Sequence, residues 1–492
     1  MLVSQYTILA GEVTGVLDRE RSPYMVVEDV VVPAGDSLRI EPGVEIRFQW
    51  EPVEDLRHRI VVRGELNAVG TPEDSIYFLP EYGDSLLNAW RGIWCLNPVD
   101  TTFVIYTEFL NSGYGICADS GGIAQAIHCW FHNPYYKGVR VFRESWTGID
   151  SCNFINLNPA GGPYLYVDSA SASVTNSCFE YPETAEEHNS SFIFTNDATG
   201  LVSGCTFSIG RGGSFDMHSR GEFLRNRTRF TTNGIWYMNG SSGVFANNIV
   251  VDGNLGMEVA SYMPLADTIL ISNNVFYNLD VGIIWSNPAH EGHVKNNVFL
   301  ANREGIRDFD AIIPFANIGY NDFFANDSDF VNCIPDSTNI YLNPIVQDTI
   351  NFRLSLGSPC IDAGDPDPFF NDVDSTRNDI GCWGGPWGES YPYVPVLSHI
   401  LKYIPSEFAL LPPYPNPFNS VLIIPFTIPI EKEVMITIYN ILGQKVQEYS
   451  FPPLSPGVHR VVWNSGSCAS GLYIVRLITG DKEFVQKALL LR

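Results

Sequence analysis

The sequence predicts an all-β chain: a parallel β-helix of about ten or more coils, then a small Ig-like β-sandwich. Three observations carry this. First, Phe109, Phe131, Phe154, Phe179, Phe207, Phe230, Phe276, Phe299 and Phe323 recur about every 19 to 28 residues, with Ile249 filling the one gap. A small or amide side chain usually stands two residues earlier: Cys129, Cys152, Cys205, Asn247, Asn274, Asn297 and Asn321. Second, a Gly followed by an apolar residue keeps nearly the same phase at Gly92-Ile93, Gly115-Ile116, Gly138-Val139, Gly234-Ile235, Gly256-Met257, Gly282-Ile283 and Gly305-Ile306. Third, the unit between repeats has no apolar run at helical spacing and is too short for two helices and a turn. It holds instead short β-branched and aromatic runs, such as Ile269-Leu270-Ile271 and Ile283-Ile284-Trp285, between Gly, Asn, Ser and Asp clusters. Those are strands bounded by turns, roughly three to a coil, and coils stack about 4.8 Å apart.

Stacking places like residues over like. A buried amide is costly unless both its ends are bonded, and an Asn column lets each side chain donate to its neighbour. The offset from the buried Phe favours such a ladder over Asn that merely marks surface turns. Cys129, Cys152 and Cys205 share the column and read as small buried fillers, with Cys178 one residue out of phase.

In order, residues 1–88 supply strands that begin the stack and cover its first edge, which would otherwise invite pairing with another chain. Residues 89–387 are the coils, 388–411 a Pro-containing linker, and 412–492 the sandwich, with close-spaced strands such as Val434–Tyr439 and Leu472–Leu477. Met1–Gln5 has no basic region followed by a long apolar segment, so no cleavable signal peptide is expected in this sequence.

The run VVVPAGDSLRIEPGVEIRF, then VVRGELNAVGT and WRGIW, resembles the opening of bacterial secreted right-handed parallel β-helix proteins. Ser358–Asp365 with Asp379-Ile380-Gly381 is similar to their closing coil. YPNPFN, IYNILGQKV, GVHRVVWN and SGLYIVRL resemble the C-terminal sorting domain of type IX secretion substrates. That resemblance implies passage through outer-membrane secretion machinery, then release or attachment at the cell surface. It carries no chemistry of its own.

Composition agrees with an extracellular β protein: charged residues are 17%, and Gly and Pro number 42 and 32. A net charge of -26 disfavours nucleic acid and anionic lipid. The chain is expected to be a monomer. Between Cys360 and Cys382, which could pair outside the cell, Asp367, Asp372 and Asp374 could hold a hard cation such as Ca²⁺.

Taking the apolar residue after each Gly as inward, the next residue points out. The outward row reads Trp94, Cys117, Arg140, Tyr164 or Tyr166, Asp216 with His218, Trp236, Glu258, Ile284 and Arg307. Trp94, Arg140, Tyr166, Trp236 and Arg307 are candidate sugar-binding residues, because rings stack on sugars and cations bond hydroxyls. Asp216 and Glu258, with His218, are candidate catalytic groups about two rungs apart, suited to an inverting glycosidase. Arg140 and Arg307 are candidate bases for a lyase. The row therefore fits a surface binding polysaccharide or extracellular matrix, a polysaccharide lyase or glycosidase, or a structural, adhesin-like face. Fold alone cannot choose among them.

Overall fold

The computed structural model describes residues 6–82, 87–96, 100–156, 162–180, 190–208, 211–229, 236–260, 268–286, 292–309 and 316–388. In the C-terminal unit it describes 408–491 apart from 411–412, 414–415, 417, 420, 430–431, 455–456, 467 and 481. The chain divides into two compact units, Met1–Tyr391 and Pro392–Arg492.

The first unit is a parallel β-solenoid of about 11 turns, each coil contributing one strand to each of three rows. Row 1 includes Tyr114–Ala118, Lys137–Phe142 and Leu165–Asp168; row 2, Ile123–Ile127, Trp146–Asp150 and Ser171–Thr175; row 3, Trp130–His132, Asn153–Ile155 and Cys178–Glu180. Rows 1 and 3 count as one 26-stranded sheet, because the long strand Tyr24–Val32 pairs into both, and row 2 is a separate 13-stranded sheet. Strands before residue 88 pair in register with later coils, as Glu65–Val69 does through Asn67 with Phe103, so the opening is continuous with the stack. Among the described residues no helix is long and apolar enough to cross a membrane.

Register explains the two sequence columns. In row 3 the inward position runs Phe109, Phe131, Phe154, Phe179, Phe207, Thr228, Val250, Phe276, Phe299 and Phe323. Rings from Phe109 to Phe207 stack with centroids 4.6 to 4.9 Å apart. The rings of Phe131, Phe154, Phe276, Phe299 and Phe323 cross the interior to the row 1 glycine of their own coil. A Cβ on Gly115 would lie 2.5 Å from Phe131, and one on Gly282 would lie 2.6 Å from Gly305 O and 2.9 Å from Phe299. The Gly and Phe keep one phase because they touch.

Two positions differ from expectation. Thr228, not Phe230, fills one rung, and Val250, not Ile249, fills the next. Phe230, Gly234 and Ile235 lie outside the described residues. The two-residue offset therefore selects Asn248. Asn247 takes the preceding left-handed turn position, as do Asn273 and Asn296, with φ of 57°, 56° and 60°. Asn tolerates that backbone because its short side chain bonds locally.

The amide ladder runs Asn226, Asn248, Asn274, Asn297, Asn321 and Asn339. Each Oδ1 from Asn248 onward accepts both the main-chain N–H and the side-chain Nδ2 of the previous rung, at 2.8 to 3.1 Å. Earlier rungs are Cys129, Cys152, Ser177 and Cys205. There Cys152 Sγ accepts from Cys129 N, Ser177 Oγ from Cys152 N, and Asn226 Oδ1 from Cys205 N. Ser177 thus fills the rung that Cys178 misses.

Residues 345–388 fold back over the outer face of row 3. Ile249, Val275 and Val298 point outward there and are buried against Phe352, Cys360, Ile380 and Cys382. The turn amides anchor this cover: Asn247 donates to Cys382 O and Gly384 O, Asn273 to Asp379 O, and Asn296 Oδ1 accepts from Asp365 N. Cys360 and Cys382 are free thiols in the cover rather than a bonded pair. Cys360 Sγ instead faces Asp322 Oδ2 at 3.4 Å.

Burial raises the Asp322 carboxyl to about 6. A folded-state value above the unfolded one gives stability that is full below about pH 4 and is lost as pH rises through about 6, worth up to about 3 kcal/mol. Asp322→Asn should therefore gain stability relative to the parent chain between pH 4 and 7. Urea unfolding of both at several pH values checks this, and parallel profiles would contradict it.

The second unit is antiparallel. One sheet holds Ala409–Leu410, Val421–Ile428 and Gly457–Asn464; the other holds Lys445–Leu454, Lys432–Asn440, Gly471–Thr479 and Lys482–Leu490. Their inner faces share one core that includes Leu422, Ile436, Trp463, Val475 and Leu477. This is consistent with a β-sandwich. Its first strand lies at Ala409–Leu410, inside the span assigned to the linker, and residues 389–407 are outside the described set.

Candidate functional site

A cavity in the lumen between Gly213, Gly221, Phe223 and Met238, of about 10 Å³, would hold one water at most. The outer face is where the coils differ most. Row 2 joins row 3 through one or two residues in every coil from Ile105 to Asp322. The connections that vary in length, 49–59, 81–92, 156–164, 181–189, 230–235, 261–268, 287–291 and 309–315, all border row 1. Insertions gathered along one face of a repeat protein mark its working face.

The outward column of row 1 runs Val61, Trp94, Cys117, Arg140, Tyr166, Ile193, Ser214, Tyr237, Glu258, Ile284, Arg307 and Val331. Trp94, Arg140, Tyr166, Glu258 and Arg307 thus share one column. Tyr166 occupies it, whereas Tyr164 is buried in the core. Trp236 does not, because it pairs with Met257 and leaves Tyr237 in the column.

Asp216 is also displaced. Ser214 takes the rung, and Asp216 stands two residues further along the strand, opposite Asn239. Its Oδ2 accepts from Ser214 Oγ at 2.8 Å. Glu258 lies two coils on, opposite Tyr237, and accepts from Ser286 Oγ at 3.1 Å. Two rungs and two residues of offset put their backbones roughly 12 Å apart. His218 sits exposed in the following turn at φ 62°. The structure does not gather these three into one cluster.

At the other end of the column, Arg307 is bound to Glu304, its Nε 2.6 Å from Glu304 Oε2. Asp367, Asp372 and Asp374 do not converge either. Asp367 caps the turn at Pro368–Phe370, Asp374 accepts from Thr376 N and Oγ1, and Asp372 accepts from Asp379 N and Gly385 N. Among the described residues no three His, Cys, Asp or Glu side chains group as a metal site.

What row 1 does gather, over the coils from Ile60 to Asp168, is rings interleaved with cations. The Arg59 guanidinium lies 5.0 Å from the Trp94 ring, and Trp94 meets Tyr114 edge-on at 6.1 Å. Arg140 lies 3.7 Å from the Phe142 ring and 5.5 Å from that of Tyr114. Lys137 Nζ lies 4.8 Å from the Tyr166 ring. Tyr114, Lys137 and Phe142 were missed in the outward row, which took one residue per strand. The signal for Lys137 and Phe142 was present as the aromatic-basic run Tyr135–Phe142.

Comparison with known proteins matches this architecture. Residues 164–311 match the right handed beta helix region family, and residues 413–490 match the secretion system C-terminal sorting domain. The chain is a right-handed β-helix with a secretion sorting tail. A type IX tail of this kind implies a secreted or cell-surface protein that engages the type IX secretion machinery. A 76-residue stretch is 42% identical to part of protein bark beetle of Drosophila melanogaster. That match covers 15% of this chain and 2% of the fly protein.

Proposed function

We propose that this secreted β-helix binds polysaccharide along its row 1 face, with the sugars lying across Trp94, Tyr114, Phe142 and Tyr166. The observation that carries this is the ring-and-cation column itself. Half-buried rings one or two rungs apart offer flat apolar faces at intervals of roughly 5–10 Å, the scale of one or two sugar residues. Stacking on such faces holds a ring by its C–H surface while polar groups beside it bond hydroxyls. Recognition without turnover is favoured over hydrolysis, since Asp216 lies off the column that carries Glu258.

Co-sedimentation and affinity electrophoresis of the full chain on a panel of polysaccharides, with and without calcium, test this. Trp94→Ala and Tyr166→Ala are each expected to weaken binding roughly tenfold, from about 1–1.5 kcal/mol of stacking lost. Binding equal to the parent in both variants would place the glycan elsewhere. Release of unsaturated or reducing sugars, abolished by Asp216→Ala or Glu258→Ala, would make the protein an enzyme.

A further inference from the structure

We propose that Lys137 and Arg140 form an anion seat on this face, so that the polysaccharide it receives carries carboxylate or sulfate groups. The inference rests on row 1 being the glycan-binding face and adds the charge class of the ligand.

Most basic side chains near this end of the solenoid have an acidic partner: Arg47 with Glu45, Arg59 with Asp29, and Arg143 with Asp119. Lys137 and Arg140 have none among the described residues. They sit three residues apart on the strand Lys137–Phe142 and contact rings instead. Among the described residues the buried Arg140 Nε–H makes no hydrogen bond, and the side chain's one polar contact is a long 3.4 Å approach of Nη1 to the Tyr114 hydroxyl. Burial, together with the Arg140 charge, pulls the Lys137 ammonium below the usual lysine range.

Two like charges held side by side at half burial, one with an unused donor, are unfavourable in the free protein. Ring faces offset part of that cost, since a cation over a π system gains only about 0.5–2 kcal/mol. An oxyanion seated against the Arg140 guanidinium and the Lys137 ammonium would screen the repulsion, which a neutral hydroxyl cannot do. The setting makes the seat selective: a chain of net charge -26 repels polyanions at long range. Attraction must therefore be local and register-specific.

The experiment compares retention of the full chain by polygalacturonate, chondroitin sulfate and neutral dextran, for the parent, the Lys137→Gln/Arg140→Gln double variant, Lys137→Gln alone and Trp94→Ala. Thermal midpoints confirm that each variant is folded, and the single Lys137→Gln variant, which keeps every ring, serves if the double one is not. We expect one or both acidic polymers to be retained over dextran, and the double variant to lose roughly tenfold or more of that affinity. The polymer preferred separates carboxylate from sulfate as the source. Retention of dextran as strong as that of the acidic polymers, or double-variant binding equal to the parent, would overturn the anion seat. If Trp94→Ala still abolished binding, the glycan-face reading would survive that result. No retention of any polymer by the parent would overturn both.

Discussion

Asn274→Leu is expected to lower the unfolding free energy of the solenoid by roughly 3–6 kcal/mol, as several buried groups lose partners at about 1–3 kcal/mol each. Asn274 Oδ1 accepts from Asn248 N and Nδ2, while its own Nδ2 donates to Phe245 O, Ser272 O and Asn297 Oδ1. Asn248, Asn274 and Asn297 are wholly buried, so water does not replace what is lost. Leucine matches the volume but leaves two donors and three acceptors facing an apolar side chain. The cost concentrates at one interface because each coil of a solenoid touches only its neighbours. Urea unfolding followed by far-ultraviolet circular dichroism measures it. Cys152→Ser, at an equivalent rung that already alternates with Ser177, is the control and should change stability little. A loss under about 1 kcal/mol in Asn274→Leu would show that the ladder bonds give no net stability beyond those the unfolded chain makes with water.

Phe154→Ala should cost about 3–5 kcal/mol. Phe154 is wholly buried and stacks on Phe131 at 4.6 Å and Phe179 at 4.8 Å. Its removal opens a gap in the middle of the longest ring stack, and the rigid coils on either side cannot close it. The same ring meets Gly138, where an added Cβ would lie 2.8 Å from Phe154 Cε1 and 2.9 Å from Tyr164 O. Gly138→Ala alone should therefore cost about 1–3 kcal/mol by overpacking. In the double variant the methyl enters space the ring has left, so the two losses should fall short of their sum by about 1 kcal/mol or more. Strict additivity would mean that the Gly and Phe columns keep phase for some reason other than contact.

Where anchors recur at every coil, residue positions followed from sequence. Phe109 to Phe207 and Phe276 to Phe323 fall in the inward column as expected, and so do the ladder positions of Asn274, Asn297 and Asn321. Trp94, Arg140, Tyr166, Glu258 and Arg307 fall in one outward column. Between about 210 and 250 the phase failed. Connections there vary in length, and the anchors are Thr228 and Val250 rather than Phe. A slip of one residue turns a side chain to the opposite face. Tyr237 rather than Trp236 holds the register position opposite Glu258, and Asn247 takes a turn position rather than a ladder one. Asp216, two residues out, stayed on the outward face but left the rung.

The amino-acid sequence by itself determined the coil, its inward Phe and Gly columns, the amide ladder and the sorting tail. Each of these is a repeated or contiguous pattern that local spacing can express. Only the tertiary structure decided how residues distant in the chain meet. It placed residues 345–388 over Ile249, Val275 and Val298, set Cys360 against Asp322 rather than Cys382, and left Lys137 and Arg140 among rings with no carboxylate partner among the described residues. Those contacts depend on which coil a segment folds back upon. That is fixed by the sum of buried apolar area and satisfied polar groups over the whole molecule, a quantity no short stretch of sequence contains.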